Sequence, residues 1–300
     1  MLSKPLNLKA RARLRGQSAS GAPTGTPSTI RDTAYWAQAA ESYRSELNSP
    51  YHRNRLAMVE RLLDPCDLSR RVLDFGCGDG PLSERVVEAG GEVVAIDSDA
   101  SMISVAAARL SASPAASARV GSVESLSRFP DASFDCLLAL NVLAYLHGGL
   151  DAVFYREAAR LLKPGGILVA THSNSLFDLF TLNAFTLRFF RENFSVLGRD
   201  CEIEALLTHP DEPDRVPHSV RENPLAYGTK MKAYGLQEVR QDFAIPHALP
   251  PLLLNEDPDD LANREVPDIA FLPETEAWKK MFLCSIFGSR LIRIRPPQDG

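Results

Sequence analysis

A doubly wound α/β architecture on a mostly parallel sheet is what this 300-residue chain predicts. From Arg71 to Ser173, short runs that are apolar on both faces alternate with helix-patterned runs. Strands buried on both faces belong to parallel sheets covered by helices. Three glycines, Gly76, Gly78 and Gly80, crowd the turn after the first apolar run, and an acid, Asp97, closes the second, 21 residues past Gly76. Right-handed crossovers then impose the doubly wound layout.

Each element follows in order. Residues 33–64 read as two helices broken at Ser49-Pro50 and form an N-terminal helical cap (residues 32–70). "RVLDF" (Arg71–Phe75) is the first strand; Pro81 suits the first turn of a helix that stops at Gly90-Gly91. "EVVAID" (Glu92–Asp97) is the second strand, "ASMISVAAARLSA" the helix after it, and "SARVGS" (Ser117–Ser122) a short third strand. "FDCLLAL" (Phe134–Leu140) is the fourth. A helix capped by Asp151 runs to the turn "KPGG" (Lys163–Gly166), and "ILVATHS" (Ile167–Ser173) is the fifth strand. Residues 71–175 form the core. Residues 176–235 read as a lid or insertion, opened by an aromatic helix over Leu176–Phe194. Residues 236–300 hold the strands Leu236–Ala244 and Phe287–Pro296.

Composition narrows the function classes. The net charge of -5 leaves no basic surplus to neutralise a phosphate backbone, so no nucleic-acid partner is expected. No run reaches the length of a membrane span: the longest candidate, Leu176–Phe190, contains Asp178 and Arg188. Five scattered cysteines without CxxC spacing indicate a reduced, cytoplasmic chain with neither a disulfide framework nor a zinc site. Residues 1–31 are basic, free of acids and rich in Ser, Gly and Pro. They read as a disordered tail, with organelle targeting as the alternative. The cluster His209, Asp211, Glu212, Asp214 and His218 lacks metal-ligand spacing, so no metal is expected.

In open α/β sheets ligands lie outside the carboxyl ends of the strands. The turn Gly76–Gly80 sits there, ahead of a helix N-terminus, where glycines let ligand atoms approach backbone N–H groups. Asp97 is placed to accept hydrogen bonds from both hydroxyls of a ribose. The spacing GxGxG, with Asp74 before it and Asp79 within it, differs from the GxGxxG of dinucleotide sites. A carboxylate facing a pyrophosphate is repelled, whereas one facing an ammonium and a sulfonium is attracted. The pattern therefore favours S-adenosylmethionine over NAD.

With these motifs the sequence resembles the class I S-adenosylmethionine-dependent methyltransferases. "VLDFGCGDG" is similar to that family's first motif, "VVAIDSD" to its second, "FDCLLALNVLAYL" to its fourth-strand motif and "LLKPGGILVATH" to the entry of its fifth strand. The resemblance covers about Val72–Ser173. It implies a seven-stranded sheet of order 3-2-1-4-5-7-6, strand 7 antiparallel. It also implies that Asp74, Gly76 and Cys77 meet the methionine portion of the cofactor, that Gly78 allows close backbone approach, and that Asp97 holds the ribose beside Ser98. Ser122, Val123 and Glu124 would flank the adenine, and Leu140 and Asn141 would line the floor near the sulfonium. Many relatives carry an acid where Ser122 stands, so Ser122, Glu124 or the backbone takes over that contact.

Methyl transfer from a sulfonium is an in-line displacement that needs alignment and exclusion of water, and a hydroxyl acceptor benefits from a base. His172, at the end of the fifth strand, leads the candidates. His147 and Tyr145, past the fourth strand, and His247 follow. Arg53 and Arg55 are candidates for the cofactor carboxylate. The acceptor side is expected at Tyr35, Trp36, Tyr43, Tyr51 and the aromatic helix. The reading is O-methylation of a natural-product or sugar-like small molecule. C- or N-methylation of a quinone-type metabolite, and a non-catalytic cofactor-binding protein, are the alternatives.

Overall fold

The computed structural model of the chain describes residues 50–177, 220–246 and 278–294. Helix α1 (Pro50–Leu63) leads into β1 (Arg71–Phe75). The chain then alternates through α2 (Pro81–Glu88), β2 (Glu92–Asp97), α3 (Ala100–Leu110), β3 (Ala116–Val120), β4 (Phe134–Ala139), α4 (Leu150–Leu161) and β5 (Leu162–Asn174). A two-residue strand β6 (Arg221–Glu222), helix α5 (Pro224–Lys232), β7 (Leu236–Pro246), the short helix α6 (Lys280–Leu283) and β8 (Cys284–Arg293) follow.

The strands lie in the order β3-β2-β1-β4-β5-β8-β7, with β6 paired to β5 off this path. Pairings among β1 to β5 are parallel, and β8 runs antiparallel to both β5 and β7. Leaving β6 aside, this is the expected order with its antiparallel strand. The two-residue β6, which joins the end of β5 at Ser173 opposite Arg221, was not expected. It is too short for any periodicity to announce it.

Local chemistry sets the helix starts. Gly80 takes a left-handed conformation (φ 85) and Pro81 opens α2 with the fixed φ that a first helical turn needs. The Asp99 carboxylate accepts from the backbone N–H groups of Ser101 and Met102 and so caps α3, while Asn223 caps α5 by accepting from Leu225. Asp151 is not the cap of α4. Gly149 (φ 87) occupies that position, and Asp151 lies in the first turn, where its carboxylate faces the helix dipole and the Lys230 ammonium at 3.4 Å. The expected "KPGG" turn is drawn into the start of β5, where Leu162 already pairs with Phe134, and the last strand begins at Cys284 rather than Phe287.

Both faces of the sheet are covered. On one, Leu73, Ile96, Leu137, Leu168 and Ala170 pack against Phe154, Tyr155 and Ala158 of α4 and Tyr227 and Met231 of α5. On the other, Val72, Val93, Leu138 and Val169 meet Met58 and Leu62 of α1 and Val86 of α2. Cys77, Ala95, Ile103 and Ala106 close the side under α3. The sheet is thus held rigid through its middle, and the carboxyl ends of β1, β2 and β4 meet at one edge. No described helix is long and apolar enough to cross a membrane.

Candidate active site

The turn leaving β1 is tied down by the neighbouring strand. Gly76 N–H and Cys77 N–H both donate to Ile96 O, at 2.7 and 3.0 Å, and Gly78 N–H donates to Asp97 Oδ2 at 2.9 Å. These amides thus already have acceptors within the protein. The three glycines, with φ of +74, +55 and +85, serve different ends. A Cβ on Gly76 would sit 2.6 Å from Val142 Cβ, and one on Gly80 3.1 Å from Ala106 Cβ. Those two admit the loop after β4 and helix α3. Only above Gly78 is there open space, with nothing within 4 Å.

That contrast yields a paired prediction. Gly76→Ala combines left-handed strain with a collision and should cost about 2–5 kcal/mol in chemical denaturation. Gly78→Ala should cost only about 1–2 kcal/mol, the left-handed term alone. Its methyl group projects into the open space, so ligand affinity should fall out of proportion to stability. Equal affinity in wild type and Gly78→Ala, measured by calorimetry, would remove Gly78 from the site.

Two carboxylates flank this turn, with no basic partner among the described residues. Asp74 is 2% exposed, its Oδ2 accepting from Ser83 Oγ at 2.6 Å. Burial, the largest influence, together with the nearby Asp97 charge, pushes it up to about 6. Asp97 is half-buried; its Oδ2 takes Gly78 N–H and its Oδ1 takes Asp99 N–H at 2.9 Å. Burial raises its pKa as well. Among the described residues neither forms an ion pair. Asp79 differs. Arg109 holds its carboxylate at 3.2 Å and its carbonyl at 2.9 Å, so its charge is compensated within the protein and bears little on which ligand is attracted.

The other expected residues divide. Ser98, Ser122 and Glu124 are exposed, with Ser122 Oγ hydrogen-bonded to Glu124 Oε2, whereas Val123 is 2% exposed and packs in the core. Leu140 and Asn141 are half-buried past the end of β4. Asn141 holds a left-handed φ of 57, and its N–H donates to Thr171 Oγ1 at 2.7 Å. Cys77 is buried, its thiol pushed upward first by burial and then by the acids around it. Tyr145 is half-buried, and His147 is exposed on the same loop.

His172 lies elsewhere. Its ring is 3% exposed, stacked 4.4 Å from Tyr227 and 4.7 Å from Phe287, with Nε2 3.1 Å from Ser289 Oγ. Burial, with the Lys230 charge behind it, lowers its pKa to about 3. Its ring is packed between aromatic side chains and closed to solvent, unlike the accessible base expected of it. Arg55 is hydrogen-bonded to His52 Nδ1 at 2.6 Å. His247, Tyr35, Trp36, Tyr43, the aromatic helix beyond Phe177 and the cluster from His209 to His218 fall outside the described residues. Among the described residues no group of three His, Cys, Asp or Glu is placed to hold a metal. Ser83, Val142 and Thr171 were not anticipated. Val142 and Thr171 act through contacts distant in sequence, and Ser83 through one nine positions away.

Residues 73–170 match the family model described as "Methyltransferase domain". A ubiquinone biosynthesis O-methyltransferase of Xanthomonas oryzae pv. oryzae is 38% identical over 121 residues, 40% of this chain and 49% of that protein. The enzyme of the same description from Xanthomonas campestris pv. campestris is 39% identical over 105 residues, 35% of this chain and 43% of that one. The chain thus spans about half the length of the curated relatives it matches. Among solved structures, the Haemonchus contortus phosphoethanolamine N-methyltransferase 2 in complex with S-adenosyl-L-methionine superposes with a TM-score of 0.55 at 16% identity, over 92% of this chain and 61% of that one. An S-adenosylmethionine-dependent methyltransferase of Archaeoglobus fulgidus gives 0.50 at 16% identity, over 86% and 99%. At such identities the two likenesses concern the fold alone. The match over residues 73–170 takes in the glycine turn and the strands from β1 into β5, so this part of the chain is similar to a methyltransferase domain, and the strand order is the one expected of that fold.

Proposed function

We propose that the protein transfers a methyl group from S-adenosylmethionine to an oxygen of a small, quinone-type acceptor. The observation that carries the cofactor assignment is the pair Asp74 and Asp97: two carboxylates drawn out of water at adjoining strand ends, with no basic partner among the described residues. Burying such charge is unfavourable unless a cation joins it. A sulfonium nucleoside with an ammonium tail and a ribose diol suits that arrangement, and a pyrophosphate does not. When bound, the cofactor supplies an activated methyl group with a good leaving group. Each Asp97 oxygen keeps a lone pair for a ribose hydroxyl beyond the amide it already accepts. Gly78 leaves room for the nucleoside, and Asn141, fixed through Thr171, holds the floor.

The oxygen acceptor is supported by the curated relatives, which are named ubiquinone biosynthesis O-methyltransferases. Among the described residues past β4, the exposed imidazole of His147 is the group offered to receive a hydroxyl proton, with Tyr145 on the same loop. The buried His172 is not so offered.

The deciding measurement is a thermal shift. At a hundredfold excess over Kd a ligand adds about 2.7 kcal/mol, which raises Tm by roughly 5–10 °C in a domain of this size. S-adenosylmethionine or its demethylated product is expected to give that rise, and NAD none. A rise with NAD alone would overturn the assignment. Transfer of labelled methyl to nitrogen or carbon, rather than oxygen, would overturn the acceptor half only.

A further inference from the structure

Away from the cofactor edge, an open cavity of about 690 Å³ lies between the end of α1, the loop before β1, the end of α2 and β7. Its lining includes Glu60, Arg61, Asp67, Arg85, Arg240 and one thiol, that of Cys66. Cys136 of β4 is 3% exposed and belongs to the apolar cluster against which Cys66 packs. While Cys136 itself is pushed up, its thiol is the largest influence on Cys66, drawing the Cys66 pKa down. The charge of Arg290, whose guanidinium also donates to Leu62 O at 3.3 Å, acts in the same direction and outside the pair. Cys66 Sγ lies 3.6 Å from the same Leu62 carbonyl. The other described thiols are differently placed. Cys77 and Cys284 are buried and pushed upward by that burial, Cys284 to about 12.

From this geometry we propose that Cys66 and Cys136 form a peroxide-oxidisable dithiol, Cys66 the attacking and Cys136 the resolving sulfur. Thiolate character and access select which cysteine reacts first, and among the described thiols only Cys66 combines a cationic neighbour with an opening to solvent. The balance closes with hydrogen peroxide as the oxidant. The Cys66 sulfur displaces hydroxide from the peroxide O–O bond, giving a sulfenic acid and one water. The Cys136 sulfur then attacks the Cys66 sulfur, the S–O bond breaks, and a second water leaves. Two thiols lose two electrons and two protons to one peroxide. The product staples the loop that delivers the chain into β1 to the middle of β4, next to Val72, which pairs with Cys136.

The test uses the full chain treated with equimolar hydrogen peroxide, quenched with a thiol alkylator and digested without reductant. The expected product is a Cys66–Cys136 linked peptide, reversible by dithiothreitol. Cys66→Ser should leave Cys136 as a free thiol. Cys136→Ser should stall Cys66 as a sulfenic acid that dimedone captures, and Cys136→Ala serves the same purpose should the serine be poorly tolerated in β4. Unmodified Cys66 in the treated wild type, Cys66 oxidised to the sulfinic acid while Cys136 stays free, or a link that joins other cysteines would each overturn the proposal.

Discussion

Asp97→Asn is expected to weaken S-adenosylmethionine binding about ten- to hundredfold while the chain still folds. Hydrogen bonds to a charged group contribute roughly 1.5–3 kcal/mol each, and two ribose hydroxyls share this carboxylate in the proposed complex. Asparagine keeps one acceptor oxygen and adds a donor, so about half of that contribution survives. A loss of about 1.5–3 kcal/mol corresponds to roughly one to two orders of magnitude in Kd. The variant also disturbs the protein before any ligand arrives. Gly78 N–H and Asp99 N–H each use one Asp97 oxygen, and the amide nitrogen of asparagine presents a donor to one of them. One amide is left without its acceptor, at about 1–3 kcal/mol. Affinity should therefore be read by calorimetry well below the variant's own Tm. Because a tethered Gly76–Gly80 turn is a precondition of the site, Ser83→Ala is the matching control: it removes the partner of Asp74 and leaves the ribose contact intact. Unchanged affinity in Asp97→Asn would sink the ribose assignment.

What the residues disclosed on their own was the set of parts that short-range chemistry dictates. Apolar runs of strand length, Pro81 behind a glycine, and Asp97 at the end of its run each bear a local signature, and the strand order followed from the family resemblance they carry. What they concealed was which way a side chain points when both faces of its strand are apolar. His172 shows this. Thr171 and His172 are both buried, so the alternation that marks a surface strand is absent. The structure sends Thr171 to the Asn141 amide and His172 under α5. The glycines show a second limit. Gly76 and Gly78 look alike in sequence, yet one is demanded by Val142, 66 positions away, and the other by nothing in the protein itself. Asp79 and Asp74 show a third, since only a distant partner, Arg109, separates a compensated carboxylate from an uncompensated one. The acid cluster around Tyr155, Glu222 and Lys230, where Lys230 Nζ meets Glu222 at 2.5 Å, likewise joins elements with no shared motif.

The same His172 should govern the acid limb of stability. Its pKa falls from the ordinary 6.5 to about 3 because burial between Tyr227 and Phe287 penalises the imidazolium, with the Lys230 charge adding to it. Below pH 6.5 the unfolded chain takes up a proton that the folded chain refuses until about pH 3. The stabilisation from this group is therefore complete above 6.5 and drains away as pH falls toward 3, by up to about 5 kcal/mol. Asp74 works against it. Its folded pKa, raised from 3.8 to about 6, gives stability at low pH that is lost as pH rises through 6, worth up to about 3 kcal/mol, and the raised Asp97 and Glu222 act in the same sense. The wild-type curve alone shows only the difference. His172→Gln separates the two: it keeps a partner for Ser289 Oγ and cannot take up the proton. Between pH 7 and pH 3 the wild type should lose about 5 kcal/mol more than this variant in urea unfolding. Parallel curves would mean that the imidazole is protonated in the fold, with room and solvent to be so. His172 would then return as a candidate base. With diverging curves, His172→Gln should also retain methyl transfer, because a ring closed between Tyr227 and Phe287 takes no proton from an acceptor.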